Sequence, residues 1–476
     1  MQVGSDVMNT PNYKEARKRT KEKVAIRDFE IDNQLREVGL GKKFFIKTYG
    51  CQMNEHDSEN IKGMLQLMNF QETFDLNEAD LVILNTCSIR ENAHNKAFGM
   101  LGRLKHLKNE KKDLIIALCG CMAQEEGVVA LIKKKYKYVN FVFGTHNLED
   151  LPRLLKNCFN DRKLNIEVKS IEGDIVENIP VSRASKYKAY VNIIYGCDKF
   201  CTYCIVPYTR GKQRSRKSKE IIKEVECLVK NGYKEVTLLG QNVNAYGKDI
   251  DDLSFAELLE KVSDTGIERV RFVTSHPWDF TDDMINIIAK RDNIMPYIHL
   301  PLQSGSTNIL KLMGRRYTKE EYLELFNKIK NTIKNCSITT DIIVGFPNET
   351  EEDFEETLNV VNECKFDSAF TFIYSPREGT PAAKMEDKID MKTKEERLAK
   401  LNEIVNKYSL EANKKYLNKT VPVLIEGISE KDPNKLFGYT DTMKLVNVVG
   451  NKELIGQIVN VLITDAKSFS LDGEVK

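Results

Sequence analysis

The sequence predicts an α/β protein of several domains, in which a small parallel sheet precedes a partial TIM-like barrel and a small all-β barrel. Its 476 residues correspond to about three domains of ordinary size. Two series of short apolar runs alternate with amphipathic helical stretches, which is typical of βα units. After the second series the pattern changes to short alternating strands without helices, which is typical of a small β-barrel.

The first βα series predicts a domain over residues 42–160. Its apolar runs are KFFIKTY, DLVILNT, DLIIAL and YVNFVFG, and helical patterns separate them. This rhythm predicts a parallel sheet with helices on its faces. The charged stretch over residues 1–41 is predicted to be an extension before the fold, and the polar, weakly patterned stretch over 161–182 a linker after it.

The second series predicts the central domain, over residues 183–413. Its six apolar runs are KAYVNIIY, EVTLLG, RVRFVTS, YIHL, ITTDIIVG and AFTFIY. Six βα units suit a partial TIM-like (β/α)6 barrel. Residues 414–476 carry four further short runs, VPVLIEGI, LFGYTDT, KLVNVV and GQIVNVLIT, which predict a small β-barrel.

Composition excludes several classes of protein. Hydrophobic residues at 41% and charged residues at 30% favour a folded soluble chain. No apolar stretch approaches the roughly 18 residues of a membrane span, and the start lacks the apolar core of a secretory signal. We therefore expect a cytoplasmic protein with no membrane partner. Lysine and arginine number 72 against 70 acidic residues, so any basic surface must be local.

The first notable cysteine group is Cys197, Cys201 and Cys204, in the loop CDKFCTYC after the first strand of the barrel series. In a reducing compartment such spacing indicates a metal site rather than disulfides. A structural zinc site needs four protein ligands, and the loop offers no fourth cysteine or histidine. An iron-sulfur cluster accommodates three thiolates and leaves one iron open to a small molecule. Zinc and plain core packing remain the alternatives.

A second group comprises Cys51, Cys87 and Cys121, which follow the ends of the first three strands of the N-terminal domain. Because the carboxyl ends of parallel strands share one edge of a sheet, we expect these thiols to converge. Converging thiolates would hold a second cluster. The alternative is three half-buried cysteines at loop starts, since cysteine is commonly buried. Spacing alone does not decide between Cys119 and Cys121.

These residues carry a family resemblance. The loop CDKFCTYC at the first strand of a βα barrel resembles the radical S-adenosylmethionine (SAM) superfamily. Both cysteine groups together with the terminal β-barrel resemble the methylthiotransferases, which have an N-terminal cluster domain, a radical SAM core and an RNA-binding TRAM domain. The phrases TYGCQMNEHDSE, LLGQNVNAYG, HLPLQSGS and YSPREGTPAA most resemble the branch that acts on isopentenyladenosine in tRNA. Glu378 departs from the proline of that pattern, which concerns loop stiffness rather than chemistry.

The resemblance implies a cofactor set and a reaction. Cys197, Cys201 and Cys204 would hold the SAM-cleaving 4Fe-4S cluster. Cys51, Cys87 and Cys121, rather than Cys119, would hold an auxiliary 4Fe-4S cluster. Two SAM molecules per turnover would methylate a sulfur and remove a hydrogen from the base, giving 2-methylthio-N6-isopentenyladenosine at tRNA position 37. Flavodoxin or ferredoxin would supply electrons, and we expect a monomer.

Two further sets of residues are candidates for binding. Polar residues at the catalytic face of the barrel are candidates for SAM, although strand-end residues also cap helices. They are Gln241, Asn242, Ser275, Gln303, Ser304 and Asp341. The basic stretch PYTRGKQRSRKSK is a candidate for tRNA phosphates, although a charge run is usually a solvated face. Its candidate residues are Arg210, Lys212, Arg214 and Arg216.

Two other functions remain open at this stage. The nearer one is a methylthiotransferase acting on threonylcarbamoyladenosine in tRNA or on an aspartate of a ribosomal protein. The farther one is a non-catalytic, metal-containing RNA-binding protein. It would contain zinc without iron and would bind RNA without cleaving SAM.

Overall fold

The structure is a computed structural model that describes residues 7–8, 24–88, 91–160, 164–169 and 174–476. The chain divides into two compact units and passes between them repeatedly. The first, here the sheet unit, comprises the described residues up to Ala184 together with Ile194–Phe200 and Cys204–Arg216. The second, here the barrel unit, comprises Ser185–Ile193, Cys201–Tyr203 and Lys217–Lys476.

The sheet unit contains a seven-stranded parallel sheet. In spatial order its strands are Val7–Met8, Asn165–Val168, Phe141–Phe143, Ile115–Gly120, Leu81–Thr86, Lys43–Tyr49 and Gln71–Glu72. The four predicted strands are present, and three others are additional. The strand Asn165–Val168 lies in the predicted linker, and the predicted extension contributes Val7–Met8.

Helices cover both faces of this sheet. Gln52–Leu67 and Leu151–Asn160 pack on one face, and Glu91–Glu110 and Glu126–Lys135 pack on the other. The central strands are buried at every position, which explains their continuous apolar runs. The resulting three-layer arrangement makes the carboxyl edge of the sheet the place where loops can carry function.

Smaller elements complete the sheet unit. Ile26–Asp28 pairs in parallel with Ile175–Glu177, and Asn33–Leu35 forms a 3-10 turn. Ile194–Tyr195 pairs antiparallel with Arg214–Ser215. The short helix Val206–Thr209 lies between those two strands in the chain. The rest of the predicted extension and of the predicted linker, residues 1–6, 9–23, 161–163 and 170–173, lies outside the described residues.

The barrel unit contains the six predicted parallel strands, arranged as two sheets of three. The first sheet is Lys188–Asn192, Glu235–Leu239 and Arg269–Phe272, and the second is Tyr297–His299, Ser337–Val344 and Ser368–Ile373. The helices are Ser218–Lys230, Phe255–Ser263, Asp282–Lys290, Thr307–Leu312, Lys319–Thr332, Glu351–Cys364 and Met391–Lys414. Strands and helices alternate along the chain, as a partial (β/α)6 barrel requires.

The C-terminal part of the barrel unit is a closed five-stranded β-barrel. Its strands are Thr420–Ile428, Leu436–Thr440, Leu445–Val449, Ile458–Ala466 and Leu471–Val475. Valine, isoleucine and leucine side chains fill its interior. The sequence pattern predicts the first four strands and misses the fifth. Leu471–Val475 reads LDGEV, and its glycine and two charges weaken the pattern that identifies a strand.

This small barrel contacts the amino ends of the βα-barrel strands. Arg269, at the start of its strand, donates to the carbonyl oxygens of Tyr439 (2.9 Å) and Pro422 (3.1 Å). Lys444 lies 3.4 Å from Asp367, which immediately precedes the last strand. The amino ends are therefore covered, and the carboxyl ends carry the loops with the candidate residues. None of the described helices has the length and apolar content needed to cross a membrane.

Candidate functional site

The N-terminal cysteines follow strand ends that lie in one row. Tyr49 is in register with Thr86, and Thr86 is in register with Gly120. Cys51, Cys87 and Cys121 come one or two residues after these positions. The sheet register therefore brings the three cysteine loops to one edge, as the sequence leads us to expect.

Cys51 and Cys87 interact directly. A hydrogen bond from the Cys87 thiol is the main cause that lowers the pKa of Cys51 to about 6, against the opposing effect of burial, and the charge of Arg210 adds to it. Cys51 is also the N-cap of the helix Gln52–Leu67, a position that favours a thiolate. Thiolate is the form that binds iron, so this pair is chemically ready to act as ligands.

A buried amide network holds the loops of these two cysteines. The Asn54 side-chain amide donates to Asn85 Oδ1 at 2.9 Å and to the carbonyl of Thr86 at 3.1 Å. The Asn85 amide donates in return to the carbonyl of Asn54 at 2.8 Å and to Ser58 Oγ at 2.9 Å. Because the partners are buried, the network fixes the backbone that follows Cys51 and the backbone that precedes Cys87.

The third cysteine of the row contacts an arginine from a distant part of the chain. Arg210 donates from Nε to the Sγ of Cys121 at 3.2 Å and from Nη2 to Asp57 Oδ2 at 2.6 Å. Its side chain is buried, with the residue only 4% exposed. Burial raises the pKa of Cys121, and the guanidinium charge opposes this effect. Arg210 therefore gives the sulfur of Cys121 a nearby positive charge and a hydrogen bond.

Cys119 has a different environment. It is fully buried within the apolar core on one face of the sheet, and this burial raises its pKa well above the ordinary value. Its carbonyl accepts a hydrogen bond from Thr86 Oγ1 at 2.7 Å. Burial raises the pKa of both thiols, and the two differ in that Cys121 Sγ accepts a hydrogen bond from Arg210 whereas Cys119 lies in the apolar core.

The three thiols of this edge are the type and number of ligands that an iron-sulfur cluster uses. Across the described part of the chain, no three His, Cys, Asp or Glu side chains have the spacing of a single-ion site. A cubane cluster holds its thiolates farther apart, because each sulfur binds a different iron. Three thiols at neighbouring strand ends supply that number of ligands, and Cys51 and Cys87, which are in contact here, would move apart to bind different irons.

The cysteines of the loop CDKFCTYC belong to both compact units, with Cys197 and Cys204 in the sheet unit and Cys201 in the barrel unit. In the sheet unit, the amide of Cys197 donates to the carbonyl of Gly211 at 3.1 Å. In the barrel unit, Arg315 lies with Nη1 3.7 Å from the buried Cys201 Sγ. The amide of the next residue, Thr202, donates to the carbonyl of Met313 at 2.8 Å. Backbone hydrogen bonds thus hold Cys197 and Cys201 in place.

Five of the six candidate SAM residues follow the carboxyl ends of barrel strands, and Asp341 lies within the strand Ser337–Val344. Two of the five have a buried polar atom without a hydrogen-bond partner among the described residues. Asn242 donates to Asp279 at 2.6 Å, but its buried Oδ1 has no hydrogen-bond partner among the described residues. The same holds for the buried Oγ of Ser275. A buried polar atom without a partner is costly unless a ligand satisfies it. These two side chains therefore have the character of a binding site.

The other four candidate SAM residues are Gln303, Ser304, Asp341 and Gln241, and the first three form contacts within the protein. Gln303 has a left-handed backbone, with φ of 70°, and bonds through its backbone to the strand of Asp341. Ser304 Oγ accepts from the amide of Ser306 at 3.2 Å. Asp341 Oδ2 lies 3.3 Å from His299 Nε2. Gln241 follows its strand and is partly buried.

Two phenylalanines of the strand Ser368–Ile373 are exposed, and the sequence analysis does not identify either as a candidate. Phe370 is 55% and Phe372 is 43% exposed, and alternation along a strand places both on one face. Phe370 is in register with Asp341, and its ring centroid lies 6.1 Å from that of His299. The signal that could have identified them is their position, since alternate residues of a barrel strand face its interior.

The structure corrects the expectation of an open basic surface on residues 210–216. All four candidate side chains, Arg210, Lys212, Arg214 and Arg216, are buried. Arg210 is paired with Asp57, and Arg216 with Glu177 at 2.6 Å. A charge run in a sequence does not reveal distant carboxylates, and here these carboxylates hold two of the arginines inside the sheet unit.

Comparison with known proteins covers almost the whole chain. Three family models match in succession: one described as Uncharacterized protein family UPF0004 over residues 43–144, the Radical SAM superfamily over 191–361, and the TRAM domain over 414–476. A tRNA-2-methylthio-N(6)-dimethylallyladenosine synthase of Bacillus cytotoxicus is 57% identical over 98% of this chain and 93% of that protein. The synthase of Halalkalibacterium halodurans is 56% identical over 98% of this chain and 88% of that protein.

Solved structures share the fold at low identity. The radical S-adenosylmethionine methyltransferase TsrM from Kitasatospora setae superposes with a TM-score of 0.53 and 13% identity, over 72% of this chain and 77% of that one. At such identity the likeness concerns the fold alone. It agrees with the partial (β/α)6 barrel expected from the six βα units.

Proposed function

Because this chain belongs to the tRNA-2-methylthio-N(6)-dimethylallyladenosine synthase family of the radical SAM superfamily, we propose that it transfers a methylthio group to carbon 2 of N6-isopentenyladenosine at tRNA position 37. The observation that carries this proposal is the presence of two separate cysteine trios, one in the loop CDKFCTYC and one along a sheet edge. A radical SAM enzyme without sulfur chemistry needs only the first.

The cysteines would divide between two 4Fe-4S clusters. Cys197, Cys201 and Cys204 would hold the one that binds SAM, and Cys51, Cys87 and Cys121 the auxiliary one. When bound, the clusters supply the electron for reductive SAM cleavage and an iron site for the sulfur that is transferred. Two SAM molecules are consumed per product in this proposal.

The chain's own residues would bind and orient the small molecules. Asn242 and Ser275 offer an acceptor and a hydroxyl, both buried and unpaired within the described residues, to the polar groups of SAM. Phe370 and Phe372 offer an exposed aromatic face on which an adenine can stack. The His299 and Asp341 side chains lie beside this face and would hydrogen-bond the edge of the base.

The partners follow from the same proposal. The C-terminal TRAM domain would contact the tRNA backbone and shape rather than its sequence. A flavodoxin or ferredoxin would supply electrons, and the protein would act as a monomer in the cytoplasm.

The first test is iron and acid-labile sulfide on anaerobically purified protein. Replacing Cys197, Cys201 and Cys204 with alanine should lower iron from about eight to about four per chain, since each cubane holds four irons. A fall from about four to zero would mean that the N-terminal cysteines bind no cluster. Zinc in place of iron would favour the non-catalytic RNA-binding protein.

The second test separates the possible substrates. Purified protein is given SAM, a reductant and, in turn, tRNA with isopentenyladenosine, tRNA with threonylcarbamoyladenosine, and the ribosomal-protein substrate. We expect methylthiolation of the first alone. Product only from one of the other two would reject the proposed substrate.

A further inference from the structure

We propose that Arg210 is a positioning residue for the auxiliary cluster, which holds the Cys121 thiolate in its ligating orientation and stabilises negative charge on the sulfur. This inference rests on the proposed function, because it requires that Cys121 binds iron. It also replaces the role in RNA binding that the sequence suggests for this residue.

The contact geometry is the first support. Arg210 makes two hydrogen bonds with different nitrogens of one planar group: Nε to Cys121 Sγ at 3.2 Å and Nη2 to Asp57 Oδ2 at 2.6 Å. The group is buried, so water does not compete for either partner. A guanidinium held at one side by a carboxylate has a fixed orientation, and the remaining Nε–H points at the sulfur.

The segment that carries Arg210 is itself anchored in the sheet unit. Thr145 donates through Oγ1 to the carbonyl of Thr209 at 2.7 Å. The helix Val206–Thr209 packs beside the turn Cys121–Gln124. The amide of Arg210 donates to the carbonyl of Val206 at 2.8 Å. The arginine is therefore placed by backbone contacts, and its approach to Cys121 does not depend on a flexible side chain alone.

The contact with Arg210 should raise the reduction potential of the cluster. Hydrogen bonds to ligand sulfur and nearby positive charge favour the more electron-rich, reduced state of a cluster, so they raise its reduction potential. Asp57 offsets part of the positive charge of Arg210. The directed Nε–H bond should therefore matter more than net charge, and lysine, a point charge without the planar fork, should replace arginine only in part.

The experiment isolates the auxiliary cluster in the full-length chain. In a background with Cys197, Cys201 and Cys204 replaced by alanine, we would compare R210M, R210K and R216M after anaerobic reconstitution. Arg216 is the matched control, since it is a buried arginine of the same segment whose guanidinium pairs with Glu177. Iron content, the midpoint potential and the electron paramagnetic resonance spectrum of the reduced cluster are measured for each.

We expect R210M to shift the midpoint potential to a more negative value and to change the spectrum, R210K to restore part of the shift, and R216M to match the background. If R210M does not retain iron, R210K and R216M still decide the question by the same comparison. Equal potentials in all variants at about four irons each, the content of one cubane, would overturn the role of Arg210. A background without iron would instead reject the proposed ligand set.

Discussion

The amino and carboxyl ends of the barrel strands differ in how their polar groups are satisfied. At the amino ends, charges meet opposite charges or carbonyls. Lys188 lies 2.6 Å from Glu426, Arg269 donates to two carbonyl oxygens of the C-terminal barrel, and Asp367 lies between Lys444 and Lys330.

At the carboxyl ends, polar groups are satisfied less completely. Asn242 and Ser275 keep buried polar atoms without partners among the described residues. Thr274 and Gln303 adopt left-handed backbones, with φ of 69° and 70°, which non-glycine residues adopt at a cost. Phe370 is exposed nearby.

This difference indicates that the amino ends of the barrel strands contribute mainly to stability and the carboxyl ends mainly to binding. The amino ends also carry left-handed backbones, at Asn335 and Lys365, and a buried Glu235 Oε2 without a hydrogen-bond partner among the described residues. Glu235 has Arg269 4.0 Å away, whereas the neutral polar atoms of Asn242 and Ser275 are satisfied by no described residue, as expected where a ligand completes the structure. Substitutions at the amino ends should therefore lower stability without lowering ligand affinity, and substitutions at the carboxyl ends should do the reverse. Five predictions test this difference.

The largest effect is expected at the loop beyond the carboxyl ends. Cys201→Ala should abolish reductive cleavage of SAM, measured as 5′-deoxyadenosine formed, because a cluster needs all three thiolates. The exposed Cys227 in the helix Ser218–Lys230 provides the control, and Cys227→Ala should leave cleavage unchanged. If Cys201→Ala still cleaves SAM, this loop does not hold the cluster that cleaves it.

At the amino ends, Asp367→Ala should cost about 3–5 kcal/mol of unfolding free energy, because it leaves the buried Lys444 without its carboxylate. Urea unfolding of the full chain measures this, and SAM affinity should stay unchanged. Glu396→Ala removes an exposed pair with Lys392 and should cost less than about 1 kcal/mol. Equal losses in the two variants would contradict the distinction.

Phe370→Ala should weaken binding of an anticodon stem-loop that carries isopentenyladenosine by about 1–3 kcal/mol, the usual worth of one base stacked on an aromatic ring. Titration calorimetry with and without the isopentenyl group measures the effect. Phe469, which is also exposed, is the control. If Phe469→Ala causes the same loss, the open face of the strand Ser368–Ile373 is not the base site.

Ser275→Ala should lower SAM affinity about five- to tenfold, as expected for one lost hydrogen bond, without lowering stability, since the hydroxyl has no partner among the described residues. Equilibrium dialysis and thermal unfolding measure the two quantities. Ser254→Ala should show the reverse, because Ser254 caps a helix and a lost cap costs about 1 kcal/mol. A stability loss in Ser275→Ala would place Ser275 with the structural residues.

The smallest effect concerns pH. Burial disfavours the Asp367 carboxylate, but the charges of Lys444 and Lys330 hold its pKa below the ordinary 3.8. Its stabilising contribution is therefore fully present above pH 3.8 and is lost as the pH falls through the lower folded value. Urea unfolding of wild type and Asp367→Ala at several pH values should show the gap narrowing in acid. A gap that stays constant down to pH 3 would contradict the assignment.

The hydrophobic pattern of the sequence is sufficient to predict the long strands and the order of the domains. It missed Leu471–Val475, whose two charges and glycine hide a strand that closes a barrel by pairing on both sides. The contact between Arg210 and Cys121 joins positions 89 residues apart, and no local pattern encodes such a pair. For the same reason the basic run could be read as an RNA surface, although Asp57 holds one of its arginines inside.

The repeated passage of the chain between its two compact units constrains how the gene can be divided. A fragment that stops at Ala184 lacks Ile194–Phe200 and Cys204–Arg216, which belong to the sheet unit. It would leave Asp57 and Glu177 without the arginines that neutralise them. Gene fission or domain exchange at the apparent boundary would therefore yield two incomplete pieces, and the two units should be inherited and recombined together.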